Sequence, residues 1–148
     1  MLNKSTIIGL ASDHAGFQMK EHIKQYLKSK DYKVKDYGTY SEESCDYPDF
    51  AHALARGIEN GEAGSGIAVC GSGEGISIAL NKHQRVRAAL VWTPEIAILA
   101  RQHNNANVLS LPGRFISNET AEACVDNFLK TDFEGGRHET RVRKIPVS

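Results

Sequence analysis

The fold is decided by the stretch GIAVCGSGEGIS, residues 66–77, in which a continuous apolar run leads into a turn with three glycines in five residues. An apolar run without alternation is typical of a strand that is buried on both faces of a sheet. Closely spaced glycines let the backbone approach a ligand, and successive N–H groups at a helix start can hold an anion. The stretch therefore predicts a parallel sheet with an anion-binding turn at a strand's carboxyl end.

Two common nucleotide-binding motifs are excluded by the details of this turn. Gly71 and Gly73 fit the first two glycines of the dinucleotide fingerprint, but Ile76 stands where the third is required. The turn also follows the third predicted strand rather than the first. A phosphate loop of the nucleotide hydrolases would end in Gly-Lys-Ser/Thr, which is missing here. A tight turn that binds no ligand remains the alternative interpretation.

Apolar strand-like runs alternate with helical stretches on both sides of this turn. Predicted strands cover residues 5–11, 32–37, 66–70, 87–92 and 108–111, and predicted helices cover 17–27, 47–59, 75–82, 94–105 and 117–130. Strands separated by helices imply right-handed βαβ units, so we predict a three-layer α/β/α sandwich around a five-stranded parallel, Rossmann-like sheet. Ligands bind such sheets outside the carboxyl ends of the strands. The residues at those ends are 12–16, 70–75, 92–94 and 112–114.

Length and composition predict a globular cytoplasmic protein with one domain, residues 1–148. The 18 Lys and Arg residues balance 18 Asp and Glu, and this zero net charge argues against nucleic acid or an anionic membrane surface as a partner. No apolar run reaches the length of a membrane span, and the run at residues 6–11 is too short for a signal peptide. Three widely spaced cysteines suit reduced thiols and have no zinc-ligand spacing.

Cys70 is the candidate reactive thiol, because it begins the glycine-rich turn. A thiol just before a helix N-terminus is favoured as an accessible thiolate. A small buried hydrophobic residue is the equally supported alternative. Cys45 and Cys124 lack such a setting, and we interpret them as structural.

Histidines and a carboxylate form the second set of candidates. Asp13 and His14 follow the first strand directly; Asp13 suits a helix cap or a ligand contact, and His14 suits a phosphate donor or an exposed loop residue. His103 ends the fourth helix, where it would either interact with the helix dipole or serve a site. The other histidines have no companion group in the sequence, and we interpret them as surface residues: His22, His52 and His83.

The segment from Gly135 onward is basic. It carries Arg137, Arg141, Arg143 and Lys144, four of the 18 basic residues. If the segment is helical, Arg137 and Arg141 lie one turn apart and could clamp a phosphate. A solvated basic end is the alternative interpretation.

Motifs along nearly the whole chain, taken in order, resemble the ribose/galactose sugar-phosphate isomerase family, which includes type B ribose-5-phosphate isomerases and galactose-6-phosphate isomerase subunits. The matching segments are Ser12–Phe17, Gly38-Thr39, Asp46–Pro48, Cys70–Ser77, Asn81-Lys82, Arg101–Asn104, Asn107–Leu109 and Glu134–His138. The resemblance implies interconversion of D-ribose 5-phosphate and D-ribulose 5-phosphate through an enediolate, in the pentose phosphate pathway. It implies no metal and no organic cofactor.

The resemblance also implies a role for each candidate residue. Cys70 would be the base, the N–H groups of residues 71–75 with the Ser72 hydroxyl would stabilise the oxyanion, and His103 would move the ring-opening proton. The implied substrate-binding residues are Asp13, His14, Tyr47, Gly71, Ser72, Gly73, Glu74, Gly75, Asn104, Arg114, Arg137, His138 and Arg141.

Glu74 is a departure from the family's pattern, because members often have a neutral residue there. One branch of the family uses a glutamate two positions further on as its base; here that position is Ile76, so the chain resembles the cysteine branch. Glu74 therefore remains either an alternative base or a solvent-facing acid at a helix start.

The resemblance implies a homodimer, sometimes paired into a tetramer, with each sugar-phosphate site shared between subunits. The C-terminal segment, about 131–148, would pack on the partner subunit. Two other functions stay open: an isomerase for galactose 6-phosphate or allose 6-phosphate, and a non-catalytic sugar-phosphate-binding module, which would leave Cys70 and His103 without a task.

Overall fold

A computed structural model describes residues 4–147, in which β-strands alternate with helices along most of the chain. The strands are β1 (Ile7–Ser12), β2 (Lys33–Asp36), β3 (Ser65–Cys70), β4 (Ala88–Leu90) and β5 (Val108–Pro112). The helices are α1 (Phe17–Ser29), α2 (Tyr47–Glu59), α3 (Glu74–Leu80), α4 (Pro94–Asn104), α5 (Asn118–Lys130) and α6 (Arg137–Arg143). The ends of the predicted 1–148 domain, residues 1–3 and 148, lie outside the described residues.

The five strands form one parallel sheet in the order β2-β1-β3-β5-β4. The chain leaves β1 towards β2 on one side and leaves β3 towards β4 on the other, so the direction of winding reverses between β1 and β3. Such a reversal opens a crevice at the carboxyl ends of the two strands. The predicted fold class is confirmed, and the crevice lies beside the glycine-rich turn.

Helices cover both faces of the sheet. Helices α1, α4 and α5 lie on one face, where Leu10 and Val69 pack with Phe128. Helices α2 and α3 lie on the other, where Ala68 packs with Leu54 and Leu80. Burying one such leucine or phenylalanine side chain stabilises the fold by about 1.5–3 kcal/mol. The central strands are covered on both faces, which explains their continuous apolar sequences.

Two segments differ from the pattern expected from the sequence. The edge strand β4 covers only Ala88–Leu90 of the predicted 87–92, although the Val91 N–H still donates to the Ser110 carbonyl at 2.9 Å. The basic tail, whose conformation the sequence left open, forms α6 after Gly136, which has a φ of +58°. The arginines of this tail therefore have a fixed place on a helix.

The interpretation of three histidines as surface residues without companions is wrong. His83 is half-buried, with Nδ1 2.8 Å from Glu59 Oε1 and Nε2 2.8 Å from His52 Nδ1. His22 Nε2 lies 2.6 Å from Glu122 Oε2. These pairs join different elements at separations of 24 to 100 residues, so local spacing gives no sign of them.

Helix α4 determines which residues lie at the edge opposite the crevice. It begins at Pro94, just after β4, and ends at Asn104, just before β5. In a βαβ unit this connection runs antiparallel to the strands, so its last turn reaches the amino edge of the sheet. His103 and Asn104 therefore lie at the edge where the strands begin, whereas Cys70 lies where β3 ends. No helix within residues 4–147 is long and apolar enough to cross a bilayer.

Candidate active site

A cleft of about 580 Å³ lies at the carboxyl ends of β1, β3 and β5. This size is in the range of small-molecule sites. Nine residues that the sequence singled out line it: Asp13, His14, Tyr47, Cys70, Gly71, Ser72, Glu74, Gly75 and Arg114. Ala15, which also lines it, lies in the predicted strand end at residues 12–16, whereas Ile78 and Phe115 were not predicted. Their apolar side chains had no sequence signal for a site, since isolated surface hydrophobic residues are common.

Cys70 ends β3 and lines the cleft while remaining only 4% exposed. Its side chain belongs to the apolar cluster between the sheet and helices α2 and α3. Its carbonyl accepts a hydrogen bond from the Gly113 N–H at 2.9 Å, which joins the ends of β3 and β5. This thiol is therefore packed as a buried hydrophobic residue at the wall of the cleft, and its role as a reactive thiolate stays a prediction.

The glycine-rich turn is open on its cleft side. Within the described part of the chain, the N–H groups of Gly71, Ser72 and Gly73 have no hydrogen-bond acceptor, whereas the Glu74 N–H donates to Ser72 Oγ at 3.2 Å. Gly73 has a φ of +77°, a conformation that residues with a Cβ rarely adopt. Gly73 is buried behind the turn and does not line the cleft, so its contribution is to the shape of the turn.

The loop after β1 is held close to β3. The Gly16 N–H donates to Asp13 Oδ1 at 3.0 Å, and a Cβ at Gly16 would clash with the Val69 carbonyl. Gly16, not Asp13, precedes the first turn of α1, so Asp13 stabilises the loop rather than capping the helix directly. This close approach places Asp13 and His14 beside Cys70.

His14 has a backbone partner that orients its ring. The Cys45 N–H donates to His14 Nδ1 at 3.2 Å, and Cys45 Sγ lies 3.9 Å from the same nitrogen. Since Nδ1 accepts, the neutral ring carries its proton on Nε2. The 31 residues between the two side chains explain why the sequence did not suggest this contact.

Arg114 lies over the glycine-rich turn. Its backbone N–H donates to the Gly71 carbonyl at 3.0 Å. Its side-chain Nη1 lies 3.2 Å from the position that a Cβ on Gly71 would take. Arg114 and His14 also line an adjoining cavity of about 510 Å³, with the polar side chains of Gln18 and Asn118. One imidazole and one guanidinium therefore face the same side of the crevice, as an anion site requires.

Tyr47 and Glu74 form the rim of the cleft. Tyr47 begins α2, and its ring packs so closely on Gly75 that a Cβ there would lie 2.6 Å from Tyr47 Cζ. Glu74 is exposed at the start of α3. A glycine at position 75 is therefore needed for Tyr47 to reach the turn.

Apart from Gly73, the remaining predicted residues lie at the opposite edge of the sheet and form a second group: His103, Asn104, Arg137, His138 and Arg141. The rings of His103 and His138 stack at 4.3 Å with an interplanar angle of 10°. Glu134 Oε1 lies 3.5 Å from His138 Nε2 and 3.8 Å from His103 Nε2. Burial, together with the nearby positive charges of His103 and Arg137, holds the pKa of His138 below its usual value.

The C-terminal segment also contacts other parts of its own chain. The Glu134 N–H donates to the Gln102 carbonyl at 3.1 Å, and the Val147 N–H donates to Gln84 Oε1 at 3.2 Å. Arg137 and Arg141 are exposed one turn apart on α6 and form no ion pair within residues 4–147. The packing of segment 131–148 on a partner subunit stays a prediction, with Ser148 outside the described residues.

One chain does not bring the two groups together. The 11 residues of α4 span about 16 Å at 1.5 Å per residue, which is about the length of the strands from the amino edge of the sheet to its carboxyl edge. The cleft holds the thiol, the turn, His14 and Arg114, while the second group faces away from it at the amino edge.

Comparison with known proteins agrees with this architecture. The model of the ribose/galactose isomerase family matches residues 8–145. Ribose-5-phosphate isomerase B of Escherichia coli is 43% identical over 138 residues, 93% of each chain. A ribose 5-phosphate isomerase of Thermotoga maritima has a TM-score of 0.95 at 54% identity and covers 97% of this chain and 99% of its own. The Mycoplasma genitalium ribose-5-phosphate isomerase B with bound ribulose-5-phosphate has a TM-score of 0.89 at 46% identity, covering 94% and 93%. Because the family model spans most of the chain and these relatives match it over nearly their full length, this protein is a member of the ribose/galactose isomerase family.

Proposed function

We propose that the protein is an aldose–ketose isomerase that interconverts D-ribose 5-phosphate and D-ribulose 5-phosphate through an enediolate. The observation that carries the proposal is one cleft that holds a buried thiol, free backbone N–H groups and a His–Arg pair. The relative from M. genitalium, 46% identical, was solved with ribulose-5-phosphate bound. We place the activity in the cytoplasm, in the pentose phosphate pathway, and in one domain.

Isomerisation moves a proton between C1, the carbonyl carbon of the aldose, and the neighbouring C2. Cys70, as the thiolate, takes the proton from C2 of the open-chain aldose and returns it to C1 of the enediolate, while the proton of the C2 hydroxyl passes to the oxygen on C1, so that the ketose forms. The N–H groups of Gly71 and Ser72, which line the cleft and have no acceptor within residues 4–147, donate to the oxygen that gains charge. Loss of one donor of this kind typically costs about 10²–10³ in rate. Neither step needs a metal or an organic cofactor.

The substrate has an anionic phosphate at one end and a neutral sugar at the other, and different residues of the cleft contact the two ends. His14 Nε2–H and the Arg114 guanidinium bind the phosphate, because both donate and both face the polar cavity. Asp13 and Tyr47 contact the sugar close to the thiol. The sugar is thus held across the glycine-rich turn with its reacting carbons at Cys70.

The second group completes the cleft of another copy of the chain. His103 and Asn104 lie at the amino edge of the sheet, and exposed apolar side chains, Ile78 at 64% and Phe115 at 75%, border the cleft at the carboxyl edge. A homodimer that joins these two edges would bury the apolar rim. His103 would then move the ring-opening proton and Asn104 would bind the sugar of the partner's site.

The same pairing uses the charges of the C-terminal segment. Arg137 and Arg141, which have no ion pair within residues 4–147, would reach the partner's phosphate, with His138 beside them. Segment 131–148 is then the part of each chain that packs on the partner subunit. Two such dimers pairing into a tetramer would leave these sites unchanged.

A steady-state assay of the purified chain with five- and six-carbon sugar phosphates tests the proposal. We expect turnover of D-ribose 5-phosphate by this chain alone. Turnover of only galactose 6-phosphate or allose 6-phosphate would contradict the substrate. Tight binding of all three sugar phosphates without turnover would indicate a binding module instead.

Substitution of the thiol tests the assigned base. Cys70→Ala should lower kcat by about 10³ or more, since a positioned base contributes about 10²–10⁴, while phosphate binding measured by calorimetry is kept. Cys124→Ala is the matched control, because Cys124 is a buried thiol on the other face of the sheet. Glu74→Gln should keep most of the activity. The reverse result for Cys70 and Glu74 would exchange their roles.

A further inference from the structure

His103, Glu134 and His138 form a cluster with the composition of a metal site. Among residues 4–147 it is the one group of three or more His, Cys, Asp or Glu whose ligand atoms all lie within 4.8 Å of one another. Glu134 and His138 come from the start of the C-terminal segment, and His103 comes from the last turn of α4. We call these three residues the His–Glu–His cluster.

The two separations that involve the Glu134 carboxylate are close to those around a coordinated ion. Tetrahedral Zn²⁺ with Zn–N and Zn–O bonds of 2.0–2.1 Å places neighbouring ligand atoms about 3.3 Å apart. Glu134 Oε1 lies 3.5 Å from one Nε2 and 3.8 Å from the other. These separations are too long for good hydrogen bonds, so a metal would displace no strong hydrogen bond between the carboxylate and either histidine.

We propose that the His–Glu–His cluster binds Zn²⁺ through His103 Nε2, Glu134 Oε1 and His138 Nε2, with the fourth position open. Two imidazoles and one carboxylate are a ligand set that zinc favours. The stacked rings must tilt towards each other, because parallel rings at 4.3 Å aim their lone pairs in parallel. Glu134 and His103 are partly exposed, which leaves room for that movement and a path for the ion.

Electrostatics limits the affinity of this site. The charges of Arg137 and Arg141 act on His138 and oppose a cation. Both side chains are exposed, so water screens them, while Glu134 supplies a negative charge directly at the site. We therefore expect reversible binding that is weaker than in a closed structural zinc site.

Occupation of the cluster has a consequence for catalysis that rests on the proposed function. Zn²⁺ on His103 Nε2 removes the nitrogen that would move the ring-opening proton. The ion would then act as a reversible inhibitor of the isomerase, without any part in the reaction itself.

Calorimetric titration of the full-length protein with Zn²⁺, paired with isomerase assays, tests the site. Glu134→Gln should weaken Zn²⁺ binding by more than about tenfold, the scale on which loss of even an outer-shell partner acts, and should keep the basal activity. Glu139→Gln is the matched control: it makes the same charge change on α6, at a side chain paired with Arg143 outside the cluster. We expect it to leave Zn²⁺ affinity unchanged.

Thiols are the competing ligands, and they can be distinguished. Co²⁺ bound by the cluster should lack the intense near-ultraviolet band of thiolate ligation, and Cys70→Ala should keep Zn²⁺ binding. No binding at all, or binding that is lost in Cys70→Ala and kept in Glu134→Gln, would overturn the proposal. Binding at the cluster without inhibition would support the metal site and contradict the ring-opening role of His103 instead.

Discussion

Two inactive variants of this protein should restore each other's activity when they form mixed dimers. Cys70→Ala removes the base from the cleft at the carboxyl edge, and His103→Asn removes the proton-moving group at the amino edge. If each site takes its cleft from one chain and His103 from the other, both defects in a mixed dimer fall into the same site. The second site of that dimer is then intact.

The expected recovery follows from this geometry. Random pairing makes about half of the dimers mixed, and one of the two sites in each is complete, so the mixture should reach about a quarter of wild-type specific activity. Mixed dimers isolated with two different affinity tags should reach about half. Sites contained within single chains would give no recovery above the two parent variants.

The assay is isomerisation of D-ribose 5-phosphate after the two variants are co-expressed. Cys70→Ala combined with Arg114→Ala is the control, because both residues line the same cleft and a mixed dimer then has two damaged sites. Isolated mixed dimers of Cys70→Ala and His103→Asn that remain inactive would refute the shared site. Equal recovery in the control pair would refute the assignment of both residues to one cleft.

Two further predictions concern stability, both measured by urea unfolding. Lys20 is 1% exposed and its Nζ donates to both Asp36 carboxylate oxygens, so Asp36→Asn should cost about 3 kcal/mol, because the buried ammonium loses this carboxylate and keeps only the Thr39 carbonyl and the more distant Glu21 Oε1 at 3.6 Å. Although burial acts to raise it, hydrogen bonds from the lysines hold the pKa of Asp36 below its usual value. The stabilisation by the Lys20–Asp36 pair is therefore fully present above the unfolded-state pKa of about 3.9 and is lost as the pH falls through the lower folded-state pKa. Unchanged stability in Asp36→Asn would contradict both the stabilisation and its pH dependence. Gly73→Ala should destabilise more than Gly61→Ala: both have a positive φ, but only at position 73 would a Cβ meet neighbours, with Leu90 Cδ1 at 2.5 Å. Equal losses of stability in the two variants would show that the close contact at position 73 adds no destabilisation.

Local signals explain the elements that the sequence predicted well. Thr93 Oγ1 accepts from the Ile96 N–H at 3.5 Å and Pro94 occupies the first helical position, as the sequence at the start of α4 predicts. β3 is continuously apolar because it is buried on both faces. Glycines follow it because the turn needs a φ of +77° at Gly73. These features depend on residues a few positions apart, so periodicity and capping rules reach them.

Long-range contacts were beyond the reach of those rules. Lys20 lies on α1 and is buried because Asp36 and the Thr39 carbonyl receive its ammonium group. The contact of Cys45 with His14 is of the same kind. Each pairing is decided by how two elements pack, and no periodicity within either element indicates it.

The two groups of the candidate site differ for a related reason. Every cleft residue except Tyr47 and Ile78 lies in or beside a strand-to-helix turn, and the rule that ligands bind outside the carboxyl ends of parallel strands is a property of one chain. His103 and Arg137 lie beyond that rule, at helix ends on the amino edge. A two-fold axis that sets the carboxyl edge of one chain against the amino edge of another also makes the reciprocal contact, so one interface closes two sites. Residues that lie far apart in a chain of 148 residues can in this way serve one reaction, although no single copy brings them together.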